Sequence, residues 1–389
     1  MEVNVRKPKA VEVYLLLALV SFNISNLFNI TVGGMTLRLH HLVTFAFFAI
    51  TIFIKKRPSL KMNLLVIFYF FALFLSVVVA SRYGFGKNIV NVLYCLLLFA
   101  VVSSWEEEID RESLYRIFQY AGYFFVIAIV INLLFQWETL VYSFGLKSYH
   151  ILATTIVSGG VNIEATMLAT YACFFLYRKK YGFWIFSLLI SMLYLSRTAM
   201  FLNLLSAGML LVNRIRVGGI TSIDRKKKTY GVFLLALFFA ALGVMYGKGY
   251  FTRVIGRFLT IGKDNGSSVR MLLWTNAWNV FRENPFGVGI GNAIPCIREI
   301  CGEKIGFDNI HCVYLQVLVE TGVAGLILFL LSACQIIKKA VLTWFSDPLG
   351  SMVVGYLVCC ILQFRGTEPF YTLLWALFLR IENADLKSC

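Results

Sequence analysis

Residues 313–330 read VYLQVLVETGVAGLILFL, and this stretch sets the class of fold. Glu320 is its only charged residue. A helix needs about twenty consecutive apolar residues to cross the ~30 Å hydrocarbon core of a bilayer while satisfying its own backbone hydrogen bonds. Because the apolar run continues to Ile337, we predict a membrane helix over residues 312–337.

The rest of the chain repeats this pattern. Of its 389 residues, 59% are hydrophobic and 14% are charged, and the mean hydropathy is +0.77. One soluble core cannot hide so much apolar surface, and barrel strands would give short alternating segments. We therefore predict an all-α integral membrane protein of about twelve transmembrane helices. The predicted helices are 11–30, 39–54, 63–80, 87–103, 117–136, 161–177, 182–196, 198–213, 230–247, 312–337, 349–364 and 368–380.

The distribution of basic residues predicts the orientation. Most of the 36 lysines and arginines fall in alternate short connections, which the positive-inside rule assigns to the cytoplasm. Both termini are then cytoplasmic, and the formal charge of +16 reflects topology rather than nucleic acid binding. The predicted organisation is membrane helices 1 to 9 in residues 1–247, a large outer loop in 248–311, and helices 10 to 12 with the cytoplasmic C-terminus in 312–389.

The first half of the outer loop is strongly basic. Arg253 and Arg257 are four residues apart, so a helical segment would present both guanidinium groups on one face. The following stretch predicts a helix that is capped by Ser267 or Ser268 and ends before Pro285.

Arg270, Trp274 and Trp278 lie at steps of four along that helix. Such a stripe suits the membrane interface, where an arginine can hold a lipid phosphate. Arg270 is therefore either a phosphate ligand or an interfacial anchor. Arg197, where two apolar stretches meet at the outer side, either closes a tight helical hairpin or binds an anion in a cavity.

His311 lies where the large loop re-enters the membrane. An imidazole there could act as a general base. Glu320 is nine residues further on, about 13 Å along a helix, so it cannot orient the histidine directly and is predicted to be a buried polar partner. Glu164, in the predicted sixth helix, is expected to pair with a basic neighbour.

Two further patterns leave alternatives open. Gly287, Gly289 and Gly291 could form a backbone amide nest for phosphate, although the dinucleotide fingerprint is incomplete. Cys296 and Cys301 could form a disulfide in an oxidising compartment, or join His311 and Cys312 in a zinc site.

Four motifs together resemble the O-antigen polymerase and ligase family, the Wzy and WaaL-like proteins of bacterial surface polysaccharide assembly. They are the Ser196-Arg197 pair, Arg270 followed by Trp274, NPFGVGIGN at 284–292, and His311 followed by YLQVLVETGVAGLILF at 314–329. Family members often place asparagine directly after this histidine, whereas this chain has Cys312 there and Asn309 two residues before.

The resemblance implies a membrane architecture similar to that of C-type glycosyltransferases, in the bacterial inner membrane, with an active site that faces the periplasm. It implies inverting glycosyl transfer from an undecaprenyl-diphosphate-linked glycan without metal, nucleotide sugar or other cofactor. The expected diphosphate ligands are Arg197, Arg270, Arg253 and Arg257. His311 is expected to activate or orient the acceptor hydroxyl, with Glu320 in support.

Three functions remain open on these grounds. A polymerase of lipid-linked repeat units is favoured over a ligase that moves the finished glycan to lipid A core. A transporter or flippase of the lipid-linked glycan is less favoured, because the charged residues cluster near the outer face rather than at mid-depth. The expected partners are the lipid-linked glycan, membrane lipid, and a chain-length regulator and flippase of the same lipopolysaccharide pathway.

Overall fold

The computed structural model describes residues 9–32, 35–55, 58–145, 152–216, 265–301, 306–364 and 366–380. Over these ranges the chain forms fifteen α-helices, one short 3-10 helix and a two-stranded sheet. The first ten α-helices are α1 (Ala10–Asn23), α2 (Leu39–Lys55), α3 (Leu64–Val78), α4 (Ala80–Tyr83), α5 (Ile89–Ser104), α6 (Arg111–Phe135), α7 (Trp137–Gly145), α8 (Val161–Tyr177), α9 (Tyr181–Leu193) and α10 (Arg197–Arg216). The other five are α11 (Asn265–Glu283), α12 (Ala293–Cys301), α13 (Val313–Leu342), α14 (Pro348–Cys359) and α15 (Pro369–Arg380). The strands are β1 (Asn29–Val32) and β2 (Met35–Arg38), and the 3-10 helix is Glu106–Glu108.

Two helices in the described ranges, α6 and α13, are long and apolar enough to cross a membrane. Seven more are apolar but have only 10–17 residues: α1, α2, α3, α5, α8, α9 and α14. All nine fall on segments predicted as membrane helices, so these apolar blocks are helical. The total of twelve and the orientation stay predictions, and the predicted helix at 230–247 lies outside the described residues.

The first predicted helix, 11–30, is too long. α1 ends at Asn23, and β1 and β2 follow as an antiparallel pair in which Val32 lies opposite Met35. The sequence NITVGGMT combines β-branched residues with a Gly-Gly dipeptide, which is a hairpin signal. Hydropathy alone overlooks this signal because the apolar residues of β1, Ile30 and Val32, follow the apolar run of α1 closely.

The prediction of a helix over 349–364 is also too long. α14 begins with Pro348 in its first turn, and the Asp347 carboxylate accepts the backbone N–H of Leu349 at 2.8 Å. The helix ends at Cys359. Phe364 then has φ of +74°, and residues 361–364 are not helical.

The chain divides into two compact units. Unit 1 comprises residues 1–66, 90–164 and 367–389, and within it α1 packs against α2 and α6. Its interior contains the Glu164 carboxylate, which accepts the backbone N–H groups of Ile156 at 2.7 Å and Val157 at 3.1 Å. Glu164 therefore holds the segment before α8, a role that the prediction of a basic partner did not include.

Unit 2 comprises residues 67–89 and 165–366. Its central element is α13, which Gly322 interrupts with φ of +67° and ψ of −170°. The predicted helix at 312–337 is therefore present but broken. The interruption frees backbone groups in the middle of an apolar helix, and in lipid or protein these groups need partners.

Residues 285–292, the glycine loop, supply those partners. The N–H of Val288 donates to the Val319 carbonyl at 3.0 Å, and the N–H of Gly289 donates to the Glu320 carbonyl at 2.9 Å. A Cβ on Gly322 would lie 2.6 Å from the Pro285 carbonyl oxygen. The loop and the helix break thus fit each other only because glycine lets the two backbones approach closely.

Candidate active site

The described candidate residues all lie in unit 2. They are Arg197, Arg270, His311 and Glu320. The two remaining predicted diphosphate ligands, Arg253 and Arg257, lie outside the described residues. Over the described residues, the candidate site comprises the start of α10, α11 and the turn that leads into α13.

The turn around His311 has an uncommon backbone conformation. His311 has φ of +59°, in the left-handed region that few non-glycine residues adopt. Its N–H donates to Asn309 Oδ1 at 2.9 Å, and its ring makes an edge contact with Phe307 at 5.1 Å between centroids. The imidazole is half-buried. The turn holds it apart from the helix that begins at Val313.

Hydrogen bonds on both sides of the buried Ile310 fix this turn. The Trp274 indole donates to the Ile310 carbonyl at 3.1 Å, and the Ile310 N–H donates to Gln316 Oε1 at 3.1 Å. Gln316 Nε2 in turn donates to Glu320 Oε1 at 3.0 Å. Glu320 therefore acts on the His311 turn through Gln316.

This arrangement agrees with the prediction that Glu320 is a buried polar group unable to orient His311 directly. Gln316 and Glu320 are only 1% and 4% exposed, so both need hydrogen-bond partners. Their spacing of four on one helix is the sequence signal for the pair, and Gln316 is the residue that the sequence reading missed.

Arg270 lies on α11, one helical turn before Trp274. α11 runs from Asn265 to Glu283, so it ends before Pro285 as predicted. It begins before the two serines predicted as caps, which lie in its first turn. The Arg270 side chain is half-buried. Since Trp274 binds the carbonyl next to His311, Arg270 projects from the helix that fixes the His311 turn.

The predicted stripe of Arg270, Trp274 and Trp278 on α11 does not face one environment. Trp274 packs against the buried cluster that includes Leu273, Ala277 and Ile310. Trp278, by contrast, is 50% exposed. Steps of four advance about 40° around a helix, so a stripe drifts from the core to the surface within two steps.

Arg197 is the first residue of α10, directly after a tight connection from α9. Leu195 adopts φ of +52°, and the N–H of Ser196 donates to the Ser191 carbonyl at 2.9 Å. Asn203 Nδ2 donates to Ser191 Oγ at 3.1 Å across the two helices. The predicted helical hairpin is present, and the half-buried Arg197 lies at its tip.

Contacts between α10 and α14 place Arg197 at the same end of unit 2 as the His311 turn. Asn213 donates to the Trp344 carbonyl before α14, while a Cβ on Gly355 would lie 2.5 Å from Leu202. The two helices are therefore antiparallel, and the C-terminal end of α14 points toward the start of α10. At that end the N–H of Val313 donates to the Cys360 carbonyl at 2.8 Å.

The glycine loop is not a free anion nest. The N–H of Gly287 donates to the Asn284 carbonyl at 2.9 Å, and the N–H of Ile290 donates to Ser76 Oγ at 2.9 Å. The N–H groups of Val288 and Gly289 bind α13. These donors are already used within the protein, so the phosphate-nest interpretation is wrong for them.

Cys296 and Cys301 are both free thiols. They are five residues apart on α12, which corresponds to about 7.5 Å along a helix and exceeds the usual Cα separation of a disulfide. Burial, with a smaller effect of Glu299, raises the pKa of Cys296 to about 11. Among the described residues, no three His, Cys, Asp or Glu side chains are grouped to hold a metal ion.

Residues 182–330 match a family described as O-antigen ligase. This range begins in α9 and ends in α13, and it contains all six candidate residues. The match confirms the resemblance to the O-antigen polymerase and ligase family. Together with the apolar helices it supports a membrane enzyme of ligase or polymerase type with a lipid-linked glycan as substrate. No curated protein matches the chain at the similarity required.

Proposed function

Because residues 182–330 match the O-antigen ligase family, we propose that the chain transfers a glycan from an undecaprenyl-diphosphate-linked donor to a sugar hydroxyl. The reaction takes place at the end of unit 2 that carries His311, on the periplasmic face of the bacterial inner membrane. The observation that carries the proposal is the set of hydrogen bonds that joins the His311 turn to Trp274 and Gln316, and Gln316 to Glu320.

In this reaction the acceptor hydroxyl attacks the anomeric carbon of the donor sugar. The carbon–oxygen bond to the diphosphate breaks with inversion, and the hydroxyl proton passes to the His311 imidazole. A base that takes the proton as the bond forms raises the nucleophilicity of the hydroxyl. The left-handed turn holds His311 for this task at a cost of order 1 kcal/mol in backbone strain.

The leaving group is a lipid diphosphate, whose negative charge grows as the bond breaks. Arginine presents a planar group of donors that binds phosphate oxygens in pairs. Arg197 at the start of α10 and Arg270 beside Trp274 stabilise this charge, and Arg253 and Arg257 are proposed to assist. Positioned cations in a partly dry site perform this role without a metal ion.

We propose that the acceptor is a second lipid-linked repeat unit, so that the chain is a polymerase. Donor and acceptor then belong to one class of molecule, and the site needs to recognise only that class. The second candidate is a ligase that transfers the finished glycan to lipid A core, and it is favoured by the description of the matching family as O-antigen ligase.

Deletion of the gene in its host distinguishes these two functions. A polymerase mutant should carry single repeat units on its lipid A core, visible as one short step on a lipopolysaccharide gel. A ligase mutant should instead accumulate polymer on the lipid carrier with an unmodified core. Long glycan chains that persist on the core after deletion would contradict both.

A further inference from the structure

Gln363 is a buried amide outside the hydrogen bonds that fix the His311 turn. It follows α14 in the non-helical stretch 361–364, and its side chain is only 4% exposed. The Thr166 hydroxyl donates to Gln363 Oε1 at 3.3 Å, which fixes one end of the amide. The other end, Nε2, has no hydrogen-bond partner among the described residues.

An unsatisfied amide of this kind is costly and uncommon in native proteins. Most buried polar side-chain atoms have at least one partner, so an exception needs an explanation. Rotation of the amide would exchange its nitrogen and oxygen but would still leave one of the two without a partner. One polar atom of this side chain therefore lacks a hydrogen-bond partner in either orientation of the amide.

Backbone contacts place Gln363 beside the candidate active site. The N–H of Val313 donates to the Cys360 carbonyl at 2.8 Å. A Cβ on Gly366 would lie 2.9 Å from Val313 Cγ1, and the Tyr69 hydroxyl donates to the Gly366 carbonyl at 3.4 Å. The chain thus contacts Val313, two residues after His311, both before and after Gln363.

We propose that the Gln363 amide donates a hydrogen bond to an oxygen of the bound lipid-linked glycan. This inference rests on the proposed function and adds a substrate-binding residue from outside the segment that matches the family. A donor with no partner among the described residues requires an acceptor, and the diphosphate and sugar hydroxyls of the glycan are rich in acceptor oxygens. Either group would satisfy the amide on binding.

Replacement of the side chain by one of similar shape tests this binding role. Gln363→Met keeps the volume and removes both the unsatisfied donor and the acceptor of the long Thr166 hydrogen bond, two effects of opposite sign, so the melting temperature in detergent should change little. The Kd for the purified undecaprenyl-diphosphate-linked repeat unit should increase roughly tenfold, the effect of one lost hydrogen bond. Gln363→Glu keeps the contact with Thr166 but replaces the donor by an acceptor, and its Kd should increase at least as much.

Gln136→Met is the matched control. Gln136 Nε2 donates to Asn132 Oδ1 and to the Thr154 carbonyl, both at 2.8 Å, and Oε1 accepts the Thr154 N–H at 3.0 Å. All of its polar atoms are satisfied within the protein. The control should therefore lose stability and keep the wild-type Kd, which is the opposite result.

Binding of a second ligand, undecaprenyl diphosphate without sugar, shows which part of the substrate Gln363 contacts. If the amide binds the diphosphate, Gln363→Met should also weaken the binding of undecaprenyl diphosphate without sugar; if it binds the sugar, only the glycan-carrying lipid should be affected. Both results support the inference.

An unchanged Kd in both Gln363 variants would overturn the inference, even where the wild-type protein polymerises. A wild-type protein that binds the lipid-linked unit but does not turn it over would contradict the proposed function alone, and one that does not bind it would contradict both.

Discussion

His311, the proposed base, is positioned by residues for which we propose no part in the chemistry. Its left-handed turn is held by the Trp274 indole on one side of Ile310 and by the Gln316 amide on the other. A catalytic group must be held within a fraction of an ångström of its working position, and buried hydrogen bonds of this kind supply that precision. The effect of Gln316 and Glu320 should therefore be positional rather than chemical.

Substitution of Gln316 by methionine tests this role. The change leaves the Ile310 N–H and the buried Glu320 carboxylate without the amide, so we expect a loss of about 2–4 kcal/mol in stability. The turnover number should fall at least tenfold, measured as glycan extension. Glu320→Gln is the control: it removes the acid but can still accept the Gln316 N–H, and it should keep activity close to wild type. A Glu320→Gln protein as inactive as His311→Ala would show that the carboxylate does chemistry.

The cysteines give a second prediction at the residue scale. Because burial raises the pKa of Cys296 to about 11, its thiol stays protonated at neutral pH and should react slowly with maleimide, faster as the pH rises toward that value. Trypsin cleaves after Arg298, so mass spectrometry can separate the peptides of Cys296 and Cys301. Both peptides should be free without reductant. A disulfide-linked pair of peptides would contradict the structure.

At this scale the sequence alone singles out candidate residues, and their roles stay predictions. Arg197, Arg270 and His311 are rare polar residues beside apolar runs, and such residues are expensive unless they have a use. The phosphate-nest interpretation was wrong for Gly287 and Gly289, because glycine spacing does not reveal which N–H groups other parts of the chain will bind. The role of Gln316 depends equally on a long-range contact, since it requires Ile310 to return to α13.

Among the elements, the broken helix α13 determines the shape of the site. Its first part, before Gly322, carries Gln316 and Glu320, and the break lets the glycine loop bind the carbonyls of Val319 and Glu320. The Glu320 residue therefore contributes its side chain to the His311 turn and its carbonyl to the loop. This link ties α11, through Pro285, to the helix that follows His311.

Gly322→Ala should damage this element severely. Its φ of +67° with ψ of −170° is a region open almost only to glycine, and the added Cβ would lie 2.6 Å from the Pro285 carbonyl oxygen. We expect a loss of about 2–3 kcal/mol or more, measured by thermal unfolding in detergent. Gly208→Ala in the middle of α10 is the control, because nothing lies within 4 Å of its Cβ position. That change should stabilise by about 0.5–1 kcal/mol. Equal melting temperatures for the two variants would contradict the close contact of loop and helix.

Helices were predictable from hydropathy, but their ends and interruptions were not. The apolar blocks of unit 2 that the structure describes are helices, as hydropathy predicts, although several end some residues away from the predicted bounds. The break at Gly322 left the apolar pattern intact, because the freed backbone groups are bound by a distant loop. The β1–β2 hairpin was missed because apolar β-branched residues read equally well as membrane helix in a chain of this composition.

Over the whole molecule, composition predicts a membrane protein, and the helices and the family match agree with it. The contacts divide the chain into two units that hydropathy does not reveal, since each combines segments from distant parts of the sequence. Orientation is a separate question, which the charge distribution predicts and a biochemical experiment can decide.

Phosphatase fusions test the orientation, because the reporter is active only after export from the cytoplasm. A fusion after residue 301, in the predicted outer loop, should be active, and a fusion after residue 389 should be inactive. A fusion after residue 60, in a predicted cytoplasmic connection, is the inactive control. The reverse pattern would place His311 in the cytoplasm and would contradict a periplasmic reaction.

The most direct test of the central claim is polymerisation by the purified protein. Wild type incubated with undecaprenyl-diphosphate-linked repeat units and no added metal should produce a ladder of longer glycans on a gel. His311→Ala and Arg270→Ala should reduce the rate by at least about a hundredfold, since they remove the base and a cation that stabilises the leaving group. Gln136→Met should keep the ladder. Full activity in both the His311 and Arg270 variants would contradict the account.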